Sequence, residues 1–383
     1  MGVASAVRPA ARGVPRVRGA VEARLSSLAP PRRPRDQTTG CEFVTEQAPA
    51  ETGPRPRVAA VVVTYNRRDL LEGTLRGLLT ATVRPDVLIV VDNASDDGTP
   101  EFLSDWVVGE GAETARGTVL DLVRLETNTG GAGGFVVGME RAVLDHQADY
   151  VWIMDDDTEP QADSLAEALS ALATISAQGV PEPAYLASLV RWTDGRPHPM
   201  NRTKERLRLD AAGKARAESL GLTSIRTASF VSIFISADAI RRHGLPIADY
   251  FIWNDDFEFT ARITRAGEAF AVPASEVLHH TKTFGDAQAD PGDRFYYEVR
   301  NKLWAYFRSP ALHWWERVLF LGASVRNWTR TIARSSRRSR LLKGLARGVK
   351  DALRGPRPNS EVLDGVYPLR EIPAPGASAA VGE

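Results

Sequence analysis

The sequence predicts an α/β protein built on a mostly parallel sheet with helices on both faces, and three observations carry that expectation. Strand-length apolar runs recur at residues 58–63 (VAAVVV), 87–91 (VLIVV), 119–125 and 150–154 (YVWIM). Helical spacing follows the first of them, in Leu71, Leu75, Leu78 and Leu79. Each run also ends in a polar loop, and right-handed crossovers bring such loops to one edge of the sheet.

Taken in order, residues 1–57 are rich in Arg, Pro, Ala and Ser without a period of 2 or 3.6, which predicts a disordered tail. The first strand ends in Thr64, Tyr65, Asn66, Arg67 and Arg68, and Asp69 with Glu72 resembles a capping box. The second ends in the polar turn Asp92, Asn93, Ala94, Ser95, Asp96, Asp97, Gly98, before a helix over 99–107. The third precedes Asn128, Thr129, Gly130, Gly131, Ala132, Gly133, Gly134, Phe135 and a helix towards His146. Those glycines permit either close approach of backbone to a ligand at a helix N-terminus or plain flexibility. Two nucleotide motifs are absent, since a dinucleotide fingerprint needs glycine where Val136 stands and no GxxxxGK[ST] occurs.

The fourth strand runs into Asp155, Asp156 and Asp157. Three adjacent carboxylates at the end of a buried strand repel one another unless a cation lies among them, and hard oxygen ligands suit Mg²⁺ or Mn²⁺. A metal-held phosphate ester is one reading of the run; an acidic turn capping the helix after Gln161 is the other. Beyond it, residues 184–190 and 228–235 read as strands with a polar, basic excursion between them. Trp253, Asn254, Asp255, Asp256, Phe257 and Glu258 open a helix through Arg265 that stops at Gly267. Residues 269–272 and 276–280 read as two short strands, the second ending in His279 and His280, a residue type common among metal ligands.

The chain has 383 residues, no formal net charge and a single cysteine, Cys41, so no internal disulfide is possible and a reducing compartment is expected. No run of about 18 apolar residues could span a membrane, and residues 1–57 hold no apolar core of a secretory signal.

Together, TYNRR, VVDNAS, NTGGAGGF, MDDDTEP, NDDFEF and VLHH form an ordered series that resembles family 2 glycosyltransferases of the GT-A fold. The detail is most similar to actinobacterial galactofuranosyltransferases and rhamnosyltransferases of cell-envelope assembly, which share the GGAGGF segment and a late YYxxRN. The resemblance implies an inverting, metal-dependent hexosyltransferase with a nucleotide-diphosphate sugar as donor, galactofuranose favoured, and a polyprenyl-diphosphate-linked glycan as acceptor. It places Thr64, Asn66, Arg67, Asp92, Asn93, Asn128, Gly131, Asp155 and Asp156 at the donor. It gives Asp155, Asp157 and His279, with His280 as the neighbouring register, to Mg²⁺ or Mn²⁺. Asp256 matches the catalytic base, with Asp255 beside it, and Trp253 and Glu258 fall at the acceptor. A dTDP-rhamnose-dependent rhamnosyltransferase and a catalytically inactive nucleotide-sugar binding module are the alternatives.

The domain of that fold is expected over 58–294, followed by a helical, basic and aromatic region over 295–355 and a flexible tail over 356–383. Between Arg326 and Arg354 there are ten basic residues and one acidic residue, with Leu341, Leu342, Leu345, Val349 and Leu353 at helical spacing. Such a helix suits an anionic membrane surface better than nucleic acid in a family with lipid-linked acceptors. The expected location is therefore cytoplasmic and peripheral, on the inner face of the plasma membrane.

Overall fold

The computed structural model describes residues 55–281, 284 and 290–375; the disordered segment expected over 1–57 lies outside them except for its last three residues. The first half alternates as expected: β1 (Val58–Thr64), α1 (Arg68–Thr80), β2 (Val87–Asp92), α2 (Thr99–Val108), α3 (Glu110–Ala115), β3 (Val119–Arg124), α4 (Gly130–Leu144) and β4 (Tyr150–Asp155). These strands lie in the order β3-β2-β1-β4, all parallel. Along β1 the side chains alternate between two cores. Ala59, Val61 and Val63 pack with α4 residues such as Val136 and Met139, whereas Val58, Ala60 and Val62 pack with Leu71, Leu75 and Leu78 of α1. Burial on both faces is what made these runs continuously apolar.

The second half is mixed. It comprises β5 (Thr158–Pro160), α5 (Ser164–Ala177), β6 (Tyr185–Trp192), β7 (Lys204–Glu205), α6 (Ala211–Leu220), β8 (Thr223–Thr227), β9 (Ile233–Ser236), α7 (Ala237–His243), α8 (Asp255–Ile263) and β10 (Ala269–His279). The sheet continues from β4 through β9, β6, β10, β8 and β7, with β9 antiparallel to both β4 and β6. The strand expected over 228–235 is shorter, and the polar excursion before it contains β7, α6 and β8. The two short strands expected over 269–280 are one, β10, whose register shifts between Val272 and Glu276. Pro273 lies in that interval, and a residue without an N–H cannot continue a ladder.

The C-terminal helices are α9 (Phe295–Phe307), α10 (Trp314–Arg334), α11 (Arg338–Ala352) and α12 (Asn359–Val362). The single basic amphipathic helix expected over 326–354 is broken at residues 335–337, and its apolar positions divide: Leu342, Val349 and Leu353 are exposed, whereas Leu341 and Leu345 turn inward. Leu341 is fully buried with Phe295, Val299 and Trp328, and Leu345 packs against the same cluster. The flexible tail expected from 356 is also corrected for residues 356–375. Leu363 is buried in the main core, Tyr367 donates to Glu140 (2.8 Å), and Arg370 forms ion pairs with Glu140 (2.7 Å) and Asp145 (2.6 Å). Glu140 is buried in the middle of α4, so its charge requires these partners. Residues 376–383 lie outside the described part.

Candidate active site

The register of the parallel strands brings the polar loops level. Thr64 at the end of β1 pairs with Asp92 at the end of β2, and Val63 pairs with Asp155 at the end of β4. On the other side, β10 runs antiparallel to β5 and sets His279 opposite Thr158, next to Asp157. Asp155, Asp157 and His279 thereby offer three ligand atoms within 4.8 Å of one another. His279 Nε2 lies 3.1 Å from Asp157 Oδ1, and its Nδ1 lies 2.9 Å from Asn201 Oδ1. An amide oxygen only accepts, so it keeps a proton on Nδ1, and Nε2, which faces the Asp157 carboxylate, is the nitrogen whose lone pair a cation would take in place of a proton. His280 turns away and pairs with Glu159 (2.8 Å), which removes it from the cluster. Neighbouring positions on a strand face opposite sides.

The electrostatics fit a cation. Burial, then the charge of Asp157, pushes the Asp155 carboxyl up to about 7. Among the described residues, none donates a hydrogen bond to that carboxylate. Burial also pushes Asp156 up to about 6, against the attraction of Arg67. For Asp157 burial acts upward as well, but His279 and Arg67 outweigh it and hold the carboxyl below its usual range. His279 is raised, because Asp157 and Asp155 overcome the burial that lowers it. Two oxygens and one imidazole around this excess of negative charge suit Mg²⁺ or Mn²⁺.

Several residues expected at the donor also tie the loops to one another. Thr64 Oγ1 donates to Asp156 Oδ2 (2.9 Å), so both side chains are engaged with each other beneath the β1 loop. Arg67 bridges Asp156 (3.3 Å) and Asp157 (2.6 Å). Asn66 exchanges two hydrogen bonds with Asp96. Asn93 is buried; it donates to Gly130 O (2.8 Å) and accepts from Thr129 N (2.9 Å), while Asn128 Oδ1 accepts from Gly130 N (2.7 Å). Asp92 differs from these. It is buried, its Oδ1 accepts from Ser95 N (3.0 Å), and its Oδ2 has no hydrogen-bond partner, with Arg124 Nε no nearer than 3.9 Å.

The glycine run is explained mostly by packing. A Cβ on Gly134 or Gly138 would collide with Val63 or Val61, so these glycines let α4 lie close on β1, and one on Gly133 would meet Thr129. Gly131 alone of the four expected glycines has open space around it.

Asp255 and Asp256 begin α8. Burial, then the charge of Asp256, raises Asp255 well above the carboxylate range, and Asp155 adds to the effect, so the two acidic centres share one field. Burial raises Asp256 to about 6, while the Phe257 N–H, Lys204 and Lys302 hold it down. Its Oδ1 accepts from Phe257 N (2.6 Å). Glu258, expected at the acceptor, is instead buried, paired with Arg262 (2.8 Å) and bonded by Ser309 (2.5 Å). Trp253 is partly exposed at left-handed φ, with Arg294 over its ring at 5.9 Å. Sequence reasoning missed Asn201, Lys204 and Lys302; the first two lie in the aperiodic excursion, where neither spacing nor composition marked them.

The comparisons agree with this arrangement. A family model for Glycosyl transferase family 2 matches residues 59–230. The chain is 32% identical to galactofuranosyltransferase GlfT1 of Mycolicibacterium smegmatis over 221 residues, covering 56% of this chain and 67% of that one. It is 32% identical to galactofuranosyltransferase GlfT1 of Mycobacterium tuberculosis H37Rv over 259 residues, covering 62% and 79%. Among solved structures, S. aureus TarS 1-349 in complex with UDP-GlcNAc superposes with a TM-score of 0.52 at 16% identity, covering 77% of this chain and 81% of that one, a likeness of fold. With the motif-bearing strand ends level at one sheet edge and relatives at this identity, the chain belongs to glycosyl transferase family 2 and has the GT-A fold.

Proposed function

We propose that the protein transfers a galactofuranosyl unit from UDP-galactofuranose to a hydroxyl of a polyprenyl-diphosphate-linked envelope glycan, in one displacement with inversion. The observation that carries the reading is the pairing of two unlike acidic centres at one edge: Asp155, Asp157 and His279 gathered as a ligand set, and Asp256 raised to about 6 at the start of α8. The choice of sugar and acceptor draws on the 32% identity to GlfT1.

In this mechanism the free Oδ2 of Asp92 accepts the imide N–H of the uracil, which gives a buried orphan acceptor its partner. Asp155, Asp157 and His279 would hold Mg²⁺ or Mn²⁺, which when bound supplies positive charge against the diphosphate leaving group. Asp256 takes the proton of the acceptor hydroxyl as its oxygen attacks the anomeric carbon, and the sugar–phosphate bond breaks with its electron pair leaving on UDP. A carboxyl near 6 is ionised at neutral pH yet more basic than an ordinary aspartate, which suits a general base.

On α11 Leu342 and Val349 stay exposed beside its basic residues, and the membrane contact extends from there to α10. There Trp314, Val318 and Val325 are 77%, 64% and 50% exposed at helical spacing, with Arg326, Arg330 and Arg334 along the same helix. A basic helix with such a strip suits the headgroup region of an anionic bilayer. Among the described residues no helix is long and apolar enough to cross a membrane.

The deciding experiment incubates the purified protein with UDP and dTDP sugars and a short polyprenyl-type acceptor, with Mn²⁺ or with EDTA. Transfer from UDP-galactofuranose, lost in EDTA, is expected. Transfer from dTDP-rhamnose alone would replace the donor assignment, and no turnover of any donor would favour a binding module.

A further inference from the structure

Residues 249–254, which run from the short 3₁₀ turn at Ala248–Tyr250 to α8, have a backbone that no ordinary loop adopts. Phe251 has φ 63° and ψ −62°, and Ile252 N donates to Tyr250 O (2.7 Å), which together make a γ-turn of the rare, strained hand. Trp253 and Asn254 follow at φ 67° and 66°, and Asp255 then opens α8. Three non-glycine departures of this kind within four residues persist only where the surroundings over-determine them.

The surroundings here are two adjacent side chains of α9. Asn301 is fully buried, and its Nδ2 reaches three carbonyls of the loop: Tyr250 O (2.9 Å), Ile252 O (2.9 Å) and Trp253 O (2.8 Å). Arg300 fixes which way that amide faces, because its Nε donates to Asn301 Oδ1 (2.9 Å). Its Nη2 adds Asp249 O (2.6 Å) and Tyr250 O (3.2 Å), and its guanidinium lies over Trp304 at 4.2 Å. The far side of the loop presses on the glycine turn. Phe251 O accepts from Ala132 N (3.3 Å) and occupies the place where a Cβ on Gly130 would stand, 2.0 Å away.

We infer that Arg300 and Asn301 are positioning residues: they hold the strained loop, braced on its far side against the glycine turn at the start of α4, so that Asp256, two residues after the loop, keeps its place at the start of α8. Their effect reaches the reaction through the loop, and the inference rests on the reading of Asp256 as the base.

The test uses the full chain with Asn301→Ala and Arg300→Lys, the second keeping the cation but losing the planar fork. Three quantities are measured: turnover with the donor the wild type uses, UDP affinity with Mn²⁺, and hydrogen exchange of the amides in 248–258. Turnover should fall about 10²-fold, the scale of a reacting group misplaced by about 1 Å. UDP affinity should stay within a few-fold of wild type, and exchange should rise in 248–258 while staying unchanged in β1. A merely structural role would instead lower UDP affinity and melting temperature in step with turnover, and that result overturns the inference, as does wild-type turnover with wild-type exchange. If Asn301→Ala does not fold, Arg300→Lys decides by the same readouts. Asp256→Asn separates the two ideas. Should it keep full turnover, the base assignment fails and the clamp is judged on exchange alone; should it be inactive while Asn301→Ala behaves as wild type, only the clamp fails.

Discussion

The acidic run after β4 and the acidic pair opening α8 contain the same residue type in opposite surroundings. Asp157 is held by Arg67 at 2.6 Å and His279 at 3.1 Å, both cationic or able to become so, and its carboxyl is lowered. Asp256 has no side-chain partner within hydrogen-bond distance among the described residues, only the Phe257 N–H and the more distant Lys204 and Lys302, and its carboxyl is raised to about 6. A carboxylate kept ionised between cations is built to ligate. One left partly desolvated is built to take a proton.

The strongest way to break this contrast is to substitute one aspartate in each region. Asp256→Asn should lower turnover by about 10²- to 10⁴-fold, the range for losing a general base, while UDP binding in Mn²⁺ stays near wild type by calorimetry. Asp157→Ala should do the reverse at the binding step, removing the Mn²⁺ dependence of UDP affinity altogether. Identical phenotypes for the two variants would dissolve the distinction.

A finer probe addresses Asn201, which no sequence pattern singled out and which orients His279 through its Nδ1 at 2.9 Å. Asn201→Ala should weaken Mn²⁺ affinity by about 10- to 100-fold, the usual effect of removing a partner that orients a metal ligand. Unchanged Mn²⁺ affinity would mean that His279 does not ligate.

The fate of Asn201 illustrates what could be read from the sequence and what could not. β1, β2 and β4 are buried on both faces, so their strands were visible as apolar runs and the polar residues after them as loops at one edge. Asp155, Asp157 and Asp256 stood out as candidates because ordered motifs surround them. Pairing partners were not legible, since Thr64 with Asp156 and His279 with Asn201 are 92 and 78 residues apart in the chain. The packing role of the glycine run was hidden for a related reason: Gly134 answers to Val63 on another element, a steric demand that composition does not record. Likewise Leu341 and Leu345 of α11 read as part of one free face with Leu342 and Val349, but Phe295 and Val299 of α9 lie against the first two while the other two stay exposed.

The pH dependence sharpens the comparison at a smaller scale. With Asp256 raised from 3.8 to about 6, turnover should fall as pH drops below about 6, because the base becomes protonated. Stability should respond in the opposite direction. A carboxyl raised in the folded state favours folding below its unfolded value, and that contribution is lost as pH climbs through about 6. Lys204 is among the charges that hold Asp256 down, so Lys204→Met should move the acidic limb of the turnover profile to higher pH. A limb that stays in place would show that Lys204 does not act on the base.

The smallest effect is expected at the surface of α10, and the structure changes how it must be tested. Cutting the chain after Arg308 would remove α11, which buries Leu341 against α9, and the segment whose Arg370 neutralises the buried Glu140. Loss of vesicle binding after such a cut would therefore report unfolding as readily as a missing membrane anchor. Point substitutions on the outer strip avoid this, since Val318 and Val325 are exposed. Val318→Ser with Val325→Ser removes apolar insertion, and Arg326→Gln with Arg330→Gln removes charge, each charge being worth about 1 kcal/mol near an anionic surface. Each pair should weaken binding to vesicles containing anionic lipid, and only the charge pair should lose its effect in high salt, where screening already suppresses the electrostatic part. Activity on a short soluble acceptor should be unaffected in both, because Asp155, Asp157, His279 and Asp256 lie on other elements. Vesicle affinity equal to wild type in both pairs would exclude α10 as the membrane-facing surface.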